Sequence, residues 1–258
     1  MSRIASRFAA RRDEGKTTFV SFVTAGDPSL DRTVEVALDL ERGGTDVLEL
    51  GVPFSDPVAD GPVIQRASER ALSRGTTLAG VLDVARRIRD RTPMPLVVFS
   101  YLNPIHRYGL ERFARDASRA GVDGVLVTDM PPEEADEWLA TLADNDLDAI
   151  MLAAPTSSDE RLDRIVGSAT GFVYAVSRTG VTGERAEIAQ DASELTKRLR
   201  ARSDRPVALG FGISSPEQVE EASRIADGVV VGSALVRFLE EEPDGDVAKM
   251  VRRLRGTV

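Results

Sequence analysis

The chain has 258 residues, a net charge of −9, one histidine and no cysteine. That balance excludes a broad nucleic-acid face, which needs clustered cations to displace counterions from phosphates. The missing thiols exclude disulfides, a thiolate nucleophile and sulfur-ligated metals. The basic residues are almost all arginine, with only Lys16, Lys197 and Lys249 as exceptions, and the charge reads mainly as a solvated surface.

From the N-terminus, Ile4, Phe8 and Ala9 give the first segment one apolar face, which suits a helix closing the bottom of a barrel. Its arginines interrupt any export-signal apolar run and no later run approaches a membrane span, so a cytoplasmic chain is expected. A first strand at 19–24 carries Phe22, and Asp27-Pro28 marks a break after it. The second strand, 46–51, is the most unusual, because Glu49 stands among Val47, Leu48 and Leu50. An ionised carboxylate there is costly in a packed strand, so Glu49 either faces a pocket or takes up a proton; the plainer alternative is a salt-bridged strand-end residue. The loop behind it crowds Asp56, Asp60, proline and glycine together.

Six more short apolar runs follow, at 96–100, 124–128, 149–153, 172–176, 206–210 and 228–231. Between the runs lie segments of helical period, such as Leu78, Val81, Leu82, Ala85 and Ile88, or Ala135, Trp138, Leu139 and Leu142,. Ser215-Pro216-Glu217 places a capping hydroxyl before a proline at the first helical position,. Strand, helix, strand repeated eight times in this length predicts a parallel, single-domain (β/α)8 barrel over residues 1–258, with an additional N-terminal helix.

In such a barrel the C-terminal strand ends share one mouth. Phe22 and Glu49 at the ends of strands one and two, Tyr101 after strand three, Thr128 and Asp129 after strand four, and Tyr174 in strand six are expected there. The aromatics would line a flat apolar slot, or serve simply as rim packing. Glycine-bearing loops come last: Ser177-Arg178-Thr179-Gly180-Val181-Thr182-Gly183, Gly210-Phe211-Gly212-Ile213-Ser214 and Val231-Gly232-Ser233-Ala234. Loops after the last two strands, with a short helix starting at Gly232-Ser233, form the usual barrel phosphate site. The only histidine, His106, reads as surface or packing, and a zinc site is not expected.

The segment Leu48-Glu49-Leu50-Gly51-Val52-Pro53-Phe54-Ser55-Asp56-Pro57-Val58-Ala59-Asp60-Gly61 closely resembles the signature of the tryptophan synthase alpha subunit family. The glycine loops and Phe22-Val23-Thr24-Ala25-Gly26-Asp27-Pro28 extend the resemblance over nearly the whole chain. It implies a cofactor-free, metal-free carbon–carbon lyase that cleaves indole-3-glycerol phosphate to indole and glyceraldehyde 3-phosphate. A beta subunit would be its partner in an alpha2beta2 heterotetramer. By the same resemblance Glu49 would carry protons at indole C3 and the side-chain hydroxyl, and Asp60, expected to stay ionised, would accept from the indole N–H. Phe22, Leu152, Tyr174 and Phe211 would pack near the substrate, with Tyr101 at the same mouth. Gly183, Gly212, Gly232 and Ser233 would hold the phosphate through backbone N–H groups, and Asp56 would face the partner.

The polar stretch 178–191 suits a lid, with Thr182 reaching Asp60 on closure. Thr128, Ala153-Ala154 and Asn103-Pro104-Ile105 depart from the commonest family pattern without removing a catalytic group. Two other readings stay open: another phosphosugar-acting barrel enzyme, and a non-catalytic regulatory subunit of a beta-type partner.

Overall fold

Buried on both faces, the strands of a parallel sheet read as near-continuous apolar runs, and eight such runs close here into one barrel, β1 through β8, with every neighbour parallel and β8 paired back to β1. The computed structural model describes residues 1–176, 185–210 and 212–257, with 185–190 as backbone alone. The strands are β1 (Thr18–Thr24), β2 (Val47–Gly51), β3 (Leu96–Ser100), β4 (Gly124–Val127), β5 (Asp148–Ala153), β6 (Val173–Val176), β7 (Val207–Gly210) and β8 (Gly228–Val231). Around them run α1 (Arg3–Asp13), α2 (Leu30–Gly43), α3 (Pro62–Ser73), α4 (Leu78–Arg89), α5 (Leu102–Tyr108), α6 (Leu110–Arg119), α7 (Asp136–Ala143), α8 (Asp159–Ser168), α9 (Arg185–Arg200), α10 (Pro216–Ser223), α11 (Ser233–Glu241) and α12 (Val247–Leu254).

Local chemistry sets many of these boundaries. The hydroxyls of Ser2, Ser29, Thr77 and Ser158 each accept a backbone N–H from the first turn of the helix that follows, which satisfies donors that have no partner inside the helix. Ser215 forms the expected cap and makes a full capping box with Gln218,. Gly44 ends α2 at φ 105°, a conformation that costs glycine nothing.

The helical inventory exceeds the expectation of one extra helix. Two helices, α3 and α4, lie between β2 and β3, two more (α5, α6) between β3 and β4, and α12 follows α11. β1 and β2 end at Thr24 and Gly51, where the sequence places their ends, so Phe22 and Glu49 stand two residues inside their strands and not at the strand ends. The ladder carries on past them, pairing Phe22 with Glu49, Val23 with Leu50 and Thr24 with Gly51.

Alternation splits the apolar residues into two bodies. Outward residues such as Val23, Leu48, Leu50, Val98 and Leu209 pack under the helices. Inward residues such as Val20, Phe22, Val97, Phe99, Leu126, Ile150, Phe172, Tyr174 and Val230 fill the barrel itself. The bottom is closed by α1, as its apolar face predicts. Phe8 lies against Phe172 with ring centroids 5.3 Å apart, and Ile4 is fully buried. Gly124 and Gly228 make room for this plug, since a Cβ on either would stand 2.9 Å from Ile4 or from the Phe8 ring.

The same end is tied by a repeated device. Asp46, Asp123 and Asp227 immediately precede β2, β4 and β8, and their Oδ2 atoms accept the backbone N–H of Phe19, Leu96 and Val207 at 2.9, 2.8 and 2.9 Å. Each aspartate N–H is donated back to the carbonyl of that same residue. Three strand pairs are thus fastened on both sides of one residue, leaving the opposite mouth free to vary.

Candidate active site

The interior register puts a carboxyl where the barrel is driest. Glu49 is fully buried, and neither of its oxygens has a hydrogen-bond partner among the described residues. Burial pushes its pKa up to about 8, because desolvation penalises the charged form. Burial thus favours the protonated form, and among the described residues no basic side chain meets the Glu49 carboxyl.

Asp60 reaches the site from the loop between β2 and α3, one residue before the N-cap Gly61. Tyr101, the residue after β3, donates from Oη to Asp60 Oδ2 at 3.1 Å and takes the Ala59 N–H at 2.9 Å. The Asp60 carbonyl accepts from Gln65 Nε2 at 2.8 Å, which pins the same loop to α3. Burial raises the Asp60 pKa to about 6, with the Tyr101 hydrogen bond pulling the other way. The expectation of an ionised Asp60 is thus opposed by burial, which brings this carboxyl closer to neutral pH than an ordinary loop aspartate. Tyr101 and Tyr174 are both held well above the usual phenol range, first by burial and then by the nearby acids, so both stay protonated.

Around the two acids the aromatics interlock. Phe22 meets Phe99 edge to face, with centroids 5.1 Å apart and planes at 75°, a favoured ring geometry. Phe54 stacks at a tilt on Tyr101, also at 5.1 Å. Two glycines leave space for the rings. A Cβ on Gly51 would fall 2.5 Å from Phe22 Cζ, and one on Gly210 would fall 2.2 Å from Tyr174 Oη. Leu152 pairs with Tyr174 across β5 and β6 and is only partly buried, so it lines the same interior.

At the last two strands, α11 begins from Gly232 with no side-chain cap and no acidic residue in its first turn. Its leading N–H groups are open to an anion, with the helix dipole in favour. A Cβ on Gly232 would lie 3.3 Å from Phe22 Cβ, which places this helix start beside the aromatic slot. Gly212 adopts φ 78°, as the turn after β7 requires of glycine.

Most of the residues anticipated from sequence thus share one mouth: Glu49, Asp60, Phe22, Tyr101, Leu152, Tyr174, Gly232 and Ser233. Thr182, Gly183 and Phe211 lie outside the described residues, as does the first half of the expected lid, 178–184; its second half, 185–191, is the first part of helix α9. Asp56 is exposed on the β2–α3 loop and accepts from Ser55 Oγ at 2.5 Å. His106 is exposed on α5, as expected. Phe99, Phe54 and Gly51 were not anticipated. Phe99 stands at alternate positions with Val97 and Tyr101, a spacing that places all three on one face of β3.

A closed parallel barrel with a protonated carboxyl in its interior and a second acid at its rim is the apparatus of a barrel enzyme working by proton transfer. A family profile described as tryptophan synthase alpha chain matches residues 8–256. The tryptophan synthase alpha chains of Citrifermentans bemidjiense and Solibacter usitatus are each 50% identical to this chain, covering 100% and 95% of it and 96% and 91% of their own lengths. Among solved structures, tryptophan synthase subunit alpha from Legionella pneumophila superposes with a TM-score of 0.91 at 36% identity, covering 100% of this chain and 97% of that one. A chain of Mycobacterium tuberculosis tryptophan synthase gives 0.91 at 39% identity, with 100% and 98% covered. The chain belongs to the tryptophan synthase alpha chain family. It is a lyase-type enzyme subunit of the alpha reaction of tryptophan biosynthesis, from a family that works with a beta subunit. No helix among the described residues is long and apolar enough to cross a membrane.

Proposed function

We propose that this single-domain barrel cleaves indole-3-glycerol phosphate to indole and glyceraldehyde 3-phosphate, with Glu49 and Asp60 dividing the proton work. Breaking the bond between indole C3 and the side chain requires a proton on C3, loss of a proton from the adjacent hydroxyl, and relief of positive charge at the ring nitrogen. Glu49, protonated at neutral pH, donates to C3. The bond electrons return to the ring as the hydroxyl carbon becomes an aldehyde, and the Glu49 carboxylate recovers a proton from that hydroxyl. Asp60, ionised and oriented by Tyr101, accepts from the indole N–H and stabilises the charge that develops there. The reaction is redox-neutral and uses no cofactor.

The observation that carries this reading is the fully buried Glu49 carboxyl, without a hydrogen-bond partner among the described residues and set opposite Phe22 in the ladder. The aromatic slot of Phe22, Phe99, Tyr101, Tyr174 and Leu152, with Phe211, would take the indole ring and glycerol chain. Gly212, Gly232 and Ser233, with Gly183, would hold the phosphate, and Thr182 would approach Asp60 as the 178–191 segment closes. The exposed loop bearing Asp56 and the 87% exposed Val58 would meet the beta subunit in a cytoplasmic alpha2beta2 assembly.

The test is indole release from indole-3-glycerol phosphate by the purified chain, alone and with a tryptophan synthase beta subunit. Wild type should release indole, while Glu49→Gln and Asp60→Asn should each lose activity by about 100-fold or more. Wild type that releases none even with the partner would sink the assignment, in favour of another phosphosugar enzyme or a regulatory subunit.

A further inference from the structure

Outside the mouth, one partly buried ion network, built around the buried Asp27, joins three segments that each carry part of the site. Arg70, on α3, grips Asp27 with two hydrogen bonds, Nε to Oδ1 at 2.9 Å and Nη2 to Oδ2 at 2.6 Å, and reaches Glu240 on α11 through Nη1 at 2.8 Å. The Asp27 side chain is only 7% exposed, so its charge is screened by salt less than that of a surface carboxylate. Neighbouring arginines cover one arm each: Arg66 forks onto Glu240 at 3.1 and 3.0 Å, and Arg74 approaches Asp27 at 3.5 Å. Among the described residues, Arg70 alone holds both acids.

The position of this clamp along the two helices gives it meaning. α3 begins at Pro62, directly after Asp60 and Gly61, and α11 begins at Ser233, directly after Gly232. Arg70 lies eight residues into α3 and Glu240 seven into α11. At a rise of 1.5 Å per residue the helices are cinched about 12 and about 10 Å below their heads. Asp27 adds the loop after β1, the strand that carries Phe22.

We propose that Arg70 is a positioning residue for the lyase reaction: by holding Asp27 and Glu240 together, it sets the span between Asp60 at the head of α3 and the phosphate end at the head of α11. The proposal rests on the lyase reading above, in which one substrate must be gripped at its indole and its phosphate at once. Misplacing one end leaves each half-site intact but spoils their separation. Positional errors of this kind are costly because the reacting groups must meet in a narrow geometry.

The experiment compares wild type, Arg70→Gln, Arg70→Lys and Glu240→Gln as full-length chains assayed with a beta subunit. KM and kcat are measured for indole-3-glycerol phosphate, and binding is measured separately for indole and for inorganic phosphate. Arg70→Gln is expected to raise KM about tenfold and lower kcat several-fold, while indole alone and phosphate alone bind within about twofold of wild type. Arg70→Lys keeps the charge without the fork and should fall between the two; if the glutamine variant does not fold, the lysine variant carries the same comparison. Glu240→Gln should shift KM in the same direction by less, since Asp27 remains gripped. Wild-type kinetics in the Arg70 variants would overturn the proposal, as would equal loss of indole, phosphate and substrate binding, which marks general damage. Wild type that releases no indole would overturn the lyase reading, and this proposal with it.

Discussion

Tyr101 gives its only hydroxyl proton to Asp60, at 3.1 Å, and occupies an oxygen lone pair with the Ala59 N–H at 2.9 Å. The donor is thereby aimed from both sides, and the acid it serves is held part-way between solvent and core. Tyr101→Phe keeps the ring against Phe54 and removes only the proton. Because the hydrogen bond lowers the Asp60 pKa from a value that burial raises, its loss must move that pKa above about 6. The acid limb of the kcat/KM profile for indole release should shift to higher pH, with a loss of about tenfold at pH 6 and less at pH 8. An unmoved acid limb would separate Asp60 from the limb.

The wild-type profile itself should be a bell. Asp60 is ionised above about 6 and Glu49 is protonated below about 8, so kcat/KM should be highest between these values. Glu49→Asn would remove the alkaline limb along with most of the rate, whereas an alkaline limb surviving at full size in residual activity would assign it elsewhere.

Glu49 also has a stability signature. Its folded pKa lies above the usual carboxylate range, so between about 4.5 and about 8 the native state binds the proton more tightly than the unfolded chain. Over that window the contribution of Glu49 to native stability falls as pH rises, because unfolding releases its proton. Glu49→Gln removes this titration. Urea unfolding at pH 5, 7 and 9 should show the variant gaining on wild type at each step, while a constant difference would mean that Glu49 does not titrate through this range.

At the opposite end, Asp123→Ala leaves the buried Leu96 N–H without its acceptor and Arg89 without the carboxylate that it meets at 2.6 Å. The expected cost is about 2–4 kcal/mol in urea unfolding. KM for substrate should not change in the protein that remains folded, because the clamp ties the bottom of β3 to β4 and touches nothing at the mouth. A shifted KM would show that the two ends of the barrel are coupled.

Gly51→Ala addresses the slot. The new methyl would fall 2.5 Å from Phe22 Cζ, so the ring must move, and its edge contact with Phe99 goes with it. KM should rise about tenfold with a smaller effect on kcat, since the acids stay in place; indole affinity by titration should fall in step. Unchanged indole affinity would remove Phe22 from the binding surface.

How far the sequence reaches depends on the range of the interaction. The eight strands were legible because burial on both faces leaves unbroken apolar runs, and Glu49 stood out because a carboxylate in such a run has no cheap explanation. Asp60 and Asp56 came from the resemblance carried by one ordered segment. The pairing of α3 with α4 was missed: Arg74 to Thr77 interrupt two helical periods that otherwise read as one crossover. Phe99 was overlooked as one more core residue, although its alternation with Tyr101 placed it on the inward face. The grip of Arg70 on Asp27 and Glu240 joins positions 43 and 170 residues apart, and charged residues on helices with such separations carry no local mark of whom they meet.

The plug formed by Ile4 and Phe8 makes the barrel a cup and not a tube. Cargo has one doorway, and the same rim that admits the substrate must release both halves of it. A protein seated on that rim would take delivery of whatever leaves, and nothing could escape through the floor.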